Sequence, residues 1–221
     1  MIDISNMSSD FPYQMLDRYY LAAQVSGQKS IEAIAISSFN ENENEVDSRF
    51  VNLKYINGNE WIFFSNYLSP KAIQFQSHDQ ISVLIYWGAI NTQIRLKARI
   101  QKTSKEFSDS HFQNRSKEKN ALAISSSQSK PIDSFELVKE NFQTTLTSMD
   151  SQSKRPEYWG GYSFVPYYFE FWEGNENRLN KRHVFSMEEG AWKETKEGRA
   201  ASSSVPQGTG HMFAEAASPR R

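Results

Sequence analysis

The chain has 221 residues, a formal net charge of −1 and no cysteine. This length suits one domain with a substantial core, and the near-neutral charge gives no global field that would attract nucleic acid. The missing cysteines exclude disulfides, thiol catalysis and cysteine-ligated metals. Aromatic residues make up 14% of the chain, which suits a small β-barrel or a pocket for a planar ligand, although most rings are expected simply to fill the core.

The N-terminus and the apolar segments favour a cytoplasmic protein. Residues 1–10 are polar and have no basic region ahead of an apolar one, so they do not resemble a secretory signal. The longest apolar stretch, residues 81–90, is broken by Ser82 and Gly88 and falls short of the ~20 residues that cross a bilayer. We therefore expect no contact with a membrane.

The first half of the chain predicts two helices among a series of strands. Helical spacing of apolar residues predicts a first helix over Asp10–Gly27, and Ser69-Pro70 predicts a short one ending near Ser77. Residues 40–47 are polar and predict an exposed connection, and Asn57-Gly58 is typical of a type I′ hairpin turn. The strands predicted in this half are 31–39, 49–56, 61–64, 81–86 and 93–102.

The second half predicts three helices, a turn and two strands. The helices are 104–115, 117–126 and 131–149, the last with Phe135, Val138 and Phe142 on one face. The turn is Trp159–Gly161, and the strands are 167–172 and 182–185. Because helices and strands do not alternate regularly, we predict an α+β fold, centred on a small antiparallel β-barrel with flanking helices.

The composition changes near residue 193. Asparagine is absent after Asn180, and Ala, Ser, Gly and Pro dominate residues 198–219. Such a segment buries too little apolar surface to offset the entropy lost on ordering. We predict a single domain over residues 1–192, followed over residues 193–221 by a disordered tail or an end that is not native sequence.

Most familiar catalytic motifs are missing from the sequence. The four histidines, at positions 78, 111, 183 and 211, show no ligand spacing. The chain also has no nucleophile elbow, Walker loop or dinucleotide fingerprint. We predict that the protein binds no metal ion.

Ser69-Pro70-Lys71 places a lysine in the first turn of a predicted helix. A cation there opposes the helix dipole by roughly a few tenths of a kcal/mol unless an anion is bound. Free N–H groups at a helix N-terminus bind phosphate, and Ser65 and Ser69 offer hydroxyls nearby. The pattern favours an anion site, and the alternative is a solvated lysine on a surface helix.

Seven short segments resemble, in order, the motifs of the pyridoxamine 5'-phosphate oxidase family. They are Arg49-Phe-Val-Asn-Leu-Lys54, Phe63-Phe-Ser-Asn-Tyr-Leu-Ser-Pro-Lys71, Gln93-Ile-Arg95, Ser127-Gln-Ser129, Trp159-Gly-Gly161, Glu170-Phe-Trp172 and Arg178-Leu-Asn-Lys-Arg182. Each segment is short, but their common order makes chance a poor explanation.

The resemblance implies an FMN-binding split β-barrel that forms a homodimer, with FMN at the subunit interface. It places Arg49, Ser65 and Lys71 around the FMN phosphate and ribityl chain. A dianionic phosphate calls for such cationic and hydroxyl partners, and amide groups can bond the polar edge of the flavin ring. The full set of implied FMN-binding residues is Arg49, Phe50, Val51, Lys54, Phe64, Ser65, Lys71, Gln93, Gln128, Ser129, Trp159 and Arg182.

The resemblance also implies a phosphorylated B6 vitamer as substrate. Arg115 matches the family, whereas His111 and Lys119 stand where family members have tyrosine and serine. Arg115 and Lys119 could hold a phosphate, joined by His111 if it is protonated, and the alternative is that His111 and Lys119 lie on a solvated face. The implied substrate-binding residues are Lys54, His111, Arg115, Lys119, Arg178 and Asn180.

Arg178 and Asn180 are the implied catalytic residues. Asn180 replaces the family's histidine and Lys181 its aspartate, and asparagine can form hydrogen bonds but cannot titrate. Because hydride transfer is mainly the chemistry of the flavin, we expect slower turnover or altered substrate choice rather than loss of oxidation. Pro70 is a further departure, since family members often have a basic residue there, and His183 is a candidate to replace part of the missing imidazole's role.

The leading hypothesis is an FMN-dependent enzyme that oxidises pyridoxamine or pyridoxine 5'-phosphate to pyridoxal 5'-phosphate with oxygen as acceptor. One alternative is a divergent FMN-dependent oxidase or reductase of the same superfamily with another substrate. A second alternative is a non-catalytic protein that binds flavin or vitamer.

Overall fold

The computed structural model of the chain describes residues 1–126, 132, 134–150, 153–175, 177 and 179–197. Within these ranges the strands are β1 Asp3–Ser5, β2 Ala33–Asn40, β3 Glu45–Asn57, β4 Glu60–Asn66, β5 Gln80–Trp87, β6 Thr92–Lys102, β7 Trp159–Glu173, β8 Lys181–Glu188 and β9 Ala191–Glu197. The α-helices are α1 Phe11–Val25, α2 Pro70–Ser77, α3 Lys105–Gln113, α4 Lys117–Ser125 and α5 Phe135–Ser148. A single 3-10 turn, Gly88–Ile90, joins β5 to β6.

The strands form a closed barrel. β4 pairs with both β3 and β7, so the order β3-β2-β5-β6-β7-β4 returns to β3 and closes a six-stranded ring. All pairs in this ring are antiparallel, whereas the short β1 joins β3 in parallel. β8 and β9 extend the sheet outward from β7. The predicted α+β fold with an antiparallel barrel and flanking helices is confirmed.

Every second side chain along the strands points into the barrel and fills it. In β5 every second side chain from Ile81 to Trp87 is buried, and the residues between them are exposed or partly exposed. α1 packs onto the same core through Tyr13, Leu16 and Tyr20, so the predicted amphipathic helix is confirmed. Burying each large apolar side chain contributes about 1.5–3 kcal/mol, which makes this core the main source of stability.

The hairpin between β3 and β4 lies where it was predicted, but its turn type differs. Asn57 pairs with Glu60, so Gly58 and Asn59 are the central residues. Gly58 has φ +60°, and Asn59 is not among the residues with positive φ. A single positive φ at the first central position is typical of a type II′ turn, so the type I′ prediction is wrong.

Trp159–Gly161 is the start of β7 rather than the predicted turn. Gly161 pairs with Phe64 of β4 in regular antiparallel register. A Cβ on Gly161 would lie 2.9 Å from Thr103 Cγ2, and one on Gly160 would collide with the Tyr67 hydroxyl. The two glycines therefore serve close packing of side chains against the strand, not chain reversal.

The C-terminal boundary also needs correction. β9 continues past the boundary predicted at residue 192, because Lys193 pairs with Ser186 and Glu197 with Arg182 of β8. Residues 193–197 thus belong to the sheet, and residues 198–221 lie outside the described residues. α5 begins at Phe135, capped by the Ser134 hydroxyl, later than the predicted residue 131.

α5 packs mainly against α4. None of its residues is buried, and Phe135 is 61% exposed. The predicted apolar face is therefore only partly covered in this chain. Across the described ranges, no helix is long and apolar enough to cross a membrane.

Candidate functional site

A cleft of about 280 Å³ opens beside β3, β4 and the helices that follow them. It gathers most of the residues predicted for the site from four separate segments of the chain. Its lining residues are Phe50, Val51, Asn52, Lys54, Phe64, Ser65, Lys71, His111, Arg115 and Trp159.

A break in the β3–β4 ladder lies beside Lys54. Leu53 pairs with Phe63 and Tyr55 pairs with Ile62, so Lys54 is an extra residue in β3 with no partner on β4. Such a bulge bends the strand and redirects a side chain. This local irregularity places Lys54 at the cleft, and the family resemblance assigns it to both FMN and substrate.

One end of the cleft is cationic. Lys71, in the first turn of α2, is 8% exposed and donates a hydrogen bond from Nζ to Ser69 Oγ at 3.3 Å. Burial lowers the pKa of Lys71, and the nearby Arg49 lowers it further. Arg49 donates hydrogen bonds to Ser38 and to Gln74 Oε1, the latter at 3.0 Å, and lies 3.6 Å from Asp47.

The donor set at this end fits a bound anion. Within the described residues no carboxylate forms an ion pair with Lys71, so its buried charge faces another cation without compensation. Ser65, which is also buried, adds a hydroxyl to the lining. A phosphate at the N-terminus of α2 would supply the missing negative charge, so the alternative of a solvated lysine is the weaker interpretation.

The other end of the cleft is a stack of rings. The ring of His111 lies 3.6 Å from that of Phe64 with an interplanar angle of 11°. Phe64 in turn stacks on Trp159, and the Arg115 guanidinium lies 4.3 Å from the centre of the Trp159 ring. His111 Nδ1 is 2.7 Å from the Tyr55 hydroxyl. These contacts orient His111 and Arg115 toward one cleft.

His111 is neutral at physiological pH. Burial lowers its pKa to about 4, and the charges of Arg115, Lys54 and Lys119 add to the effect. Without a ligand, His111 therefore carries no charge with which to attract a phosphate, and a role for the protonated ring stays a prediction. Lys119 does not line the cleft, although Arg115 donates a hydrogen bond to its backbone carbonyl at 3.1 Å.

A second group of predicted residues forms a row across β6, β7 and β8. Gln93 pairs with Trp172, and Trp172 pairs with Arg182, so the three are direct neighbours on the sheet. None of them lines the cleft. Trp172 lies within the Glu170-Phe-Trp172 motif, which gives it no predicted role in the site, and only its register between Gln93 and Arg182 marks it as part of this group.

A buried carboxylate holds this row in place. Glu170 is 4% exposed and pairs with Arg95 at 3.3 Å and with Arg182 at 3.7 Å. The Tyr168 hydroxyl also donates a hydrogen bond to Glu170 at 3.1 Å. Since a carboxylate buried between two arginines limits their motion, Glu170 orients Arg182.

Asn180 serves the turn between β7 and β8. Its side-chain oxygen accepts a hydrogen bond from the Asn175 backbone N–H at 3.0 Å. The His183 ring lies 3.0 Å from Glu194 of β9. Because successive residues of a strand point to opposite faces, His183 faces away from Arg182. It therefore does not replace the imidazole that family members have at position 180. Gln128, Ser129 and Arg178 lie outside the described residues.

Comparison with known proteins identifies the family. The family model of the pyridoxine 5'-phosphate oxidase C-terminal dimerisation region matches residues 159–196. Pyridoxine/pyridoxamine 5'-phosphate oxidase 1 of Hydrogenovibrio crunogenus is 30% identical over 188 residues, covering 84% of this chain and 87% of that protein. The chain belongs to the pyridoxine/pyridoxamine 5'-phosphate oxidase family. A family member from Leptospira biflexa is 31% identical over 182 residues, covering 82% of this chain and 85% of that protein.

Solved structures of related proteins have the same fold. PhzG from Burkholderia lata, in complex with tetrahydrophenazine-1-carboxylic acid, superposes with a TM-score of 0.80 at 23% identity, covering 85% of this chain and 92% of that one. A pyridoxamine 5'-phosphate oxidase-related, FMN binding protein from Nostoc punctiforme superposes with a TM-score of 0.70 at 13% identity, covering 86% and 98%. The split-barrel fold predicted for this member of the oxidase family is confirmed.

Proposed function

We propose that the protein is a homodimeric FMN-dependent oxidase that converts pyridoxamine or pyridoxine 5'-phosphate to pyridoxal 5'-phosphate with oxygen as acceptor. The observation that carries this proposal is the cleft itself. It joins a buried, uncompensated lysine at a helix N-terminus to a stack of rings flanked by Lys54 and Arg115. Such a cleft suits one ligand with a phosphate and a planar ring beside a second ligand of the same kind.

Three residues would hold the FMN phosphate. Lys71 and Arg49 would supply positive charge and Ser65 a hydroxyl, which matches what a dianion requires. Lys54, at the bulge in β3, would lie at the ring system. FMN would supply a hydride acceptor that oxygen can reoxidise with release of hydrogen peroxide.

The second row of residues supports a dimer. Gln93, Trp172 and Arg182 do not line the cleft of their own chain, although the family resemblance assigns Gln93 and Arg182 to the same flavin. In a dimer the row of one subunit would meet the cleft of the other. The match of residues 159–196 to the family's dimerisation region supports this arrangement.

The roles of the substrate-site residues follow from their chemistry. Arg115, stacked on Trp159, would bind the substrate phosphate, and Lys54 with Arg178 would orient the substrate ring. Asn180 can bond the substrate or the turn but cannot exchange a proton, so we propose that no step depends on proton transfer at this position.

The test is a turnover assay on the full-length protein with FMN in air. Pyridoxine and pyridoxamine 5'-phosphate are supplied separately, and pyridoxal 5'-phosphate and hydrogen peroxide are both measured. Equal yields of the two products are expected. Arg115→Gln should raise the KM for either substrate, whereas Lys117→Gln, at an exposed lysine on α4, should leave it unchanged. Absence of pyridoxal 5'-phosphate with both substrates would contradict the proposal.

A second candidate is an oxidase or reductase of the same superfamily with a different substrate. It is favoured by the neutral His111 and by Asn180, which depart from the family motifs. A flavin that is bleached anaerobically by another reductant, but not by either B6 phosphate, would support this candidate. Binding of a vitamer without any turnover would instead indicate a non-catalytic binding protein.

A further inference from the structure

His111 is held in a fixed orientation by two rings. Its imidazole stacks on Phe64 at 3.6 Å, and its Nδ1 lies 2.7 Å from the Tyr55 hydroxyl. The Tyr55 ring meets that of His111 edge to face at 5.4 Å, and Phe107 of α3 also packs edge to face against Tyr55. A ring restrained by both stacking and a hydrogen bond cannot easily flip.

The direction of the Tyr55–His111 hydrogen bond and the tautomer of His111 determine each other. Burial raises the pKa of the Tyr55 phenol, and Asp3 raises it further, so the phenol keeps its proton and can donate it. The neutral imidazole has one N–H and one acceptor nitrogen. If Nδ1 accepts from Tyr55, the imidazole proton resides on Nε2.

The remaining nitrogen belongs to a ring that lines the cleft among cations. Within the described residues Nε2 of His111 makes no hydrogen bond, and His111 lines the cleft. Lys54, Arg115 and Lys119 are near enough to depress its pKa, and none of these three pairs with a carboxylate in the described ranges. Nη1 of Arg115 is also buried without a hydrogen-bond partner there. A neutral donor and the cations of Lys54 and Arg115 thus line one part of the cleft.

We propose that Tyr55 is a positioning residue that holds His111 as a neutral Nε2–H donor for the phosphate group of the substrate. This inference rests on the proposed function. The cations attract the phosphomonoester, and His111 adds a directional donor whose strength does not depend on pH near neutrality. Without the Tyr55 hydroxyl, the proton of His111 distributes between both nitrogens and only part of the molecules present a donor to the cleft.

The tautomer can be measured without substrate or turnover. Long-range ¹H–¹⁵N NMR of the full-length, FMN-loaded protein with labelled histidine distinguishes the two tautomers, and the spectrum of His111→Asn identifies the signal. We expect the Nε2–H form, unchanged between about pH 5.5 and 8.5, because the pKa of the ring is about 4. In Tyr55→Phe the signal should move toward a mixture of tautomers. An Nδ1–H form in the wild type, or a titration near pH 6.5, would overturn the proposal even if Tyr55→Phe fails to fold.

A kinetic comparison tests the role in binding. Tyr55→Phe should raise the KM for pyridoxine 5'-phosphate about 5-fold with kcat little changed, as expected for one weakened hydrogen bond. Tyr13→Phe is the matched control, because its hydroxyl donates to the Asn59 carbonyl at 3.1 Å and does not line the cleft. Equal KM values in Tyr55→Phe and wild type would overturn the inference. If the wild type oxidises neither B6 phosphate, the proposed function fails, whereas the tautomer measurement still decides whether Tyr55 orients His111.

Discussion

Replacing Lys71 with methionine should weaken FMN binding without destabilising the FMN-free protein. Lys71 is 8% exposed, and within the described residues its ammonium bonds to Ser69 Oγ and faces Arg49. Methionine keeps the length of the side chain and removes the charge. In the FMN-free wild type, the unfavourable interaction of Lys71 with the helix dipole costs about 0.3–1 kcal/mol, and Arg49 repels the same charge. The variant is free of both.

The effect on the complex has the opposite sign. A hydrogen bond from a charged donor contributes about 1.5–3 kcal/mol, so its loss should raise the Kd for FMN about 10- to 150-fold. Quenching of FMN fluorescence measures the Kd, and urea unfolding of the FMN-free protein measures stability. Lys117→Met, at an exposed lysine in the first turn of α4, should change neither quantity.

The pH dependence gives a further check on the same variant. The pKa of Lys71 in the folded protein lies below its usual value of 10.5, so between these two values the unfolded chain binds more protons. Stability of the FMN-free wild type should therefore rise with pH through this window, and the rise should be absent in Lys71→Met. A Kd within about 3-fold of the wild type, or a loss of more than about 2 kcal/mol in the FMN-free variant, would refute this account of Lys71.

Three other perturbations follow from the structure. Because the pKa of His111 falls to about 4 from 6.5, the unfolded chain binds more protons between these values. On acidification from pH 6.5 to 4, the free energy of unfolding of the wild type should fall by up to about 3 kcal/mol more than that of His111→Asn. The same pH dependence of stability in both proteins, measured by urea unfolding, would contradict this. Glu170→Gln should lower stability by about 1–2 kcal/mol, less than for a fully buried pair since Arg182 is 42% exposed. The variant should also bind FMN more weakly. An unchanged Kd for FMN would show that Glu170 does not contribute to the site. Gly161→Ala should cost about 1–3 kcal/mol because its Cβ would lie 2.5 Å from Oγ1 and 2.9 Å from Cγ2 of Thr103, and Thr103→Ala should restore part of this loss in the double variant.

Local signals in the sequence predicted much of the fold. The helical spacing of α1, the Ser69-Pro70 start of α2 and the β-branched segments of β2 to β6 each depend on neighbouring residues, so their positions could be predicted from short windows. The Gly160-Gly161 pair could not be interpreted in this way. Glycine is common in turns and at close contacts alike, and only the positions of Tyr67 and Thr103 distinguish the two.

The sequence by itself determined the antiparallel barrel, the motifs that match the oxidase family and the cationic residues of the cleft, because these depend on residue type and spacing. Tertiary structure alone decided that Gln93 and Arg182 form a row with Trp172 outside the cleft, and that Asn180 bonds the turn before β8. It also decided the charge of His111. A pKa depends on burial and on charges from distant segments, here Arg115 and Lys54, and these come together only when the barrel has closed.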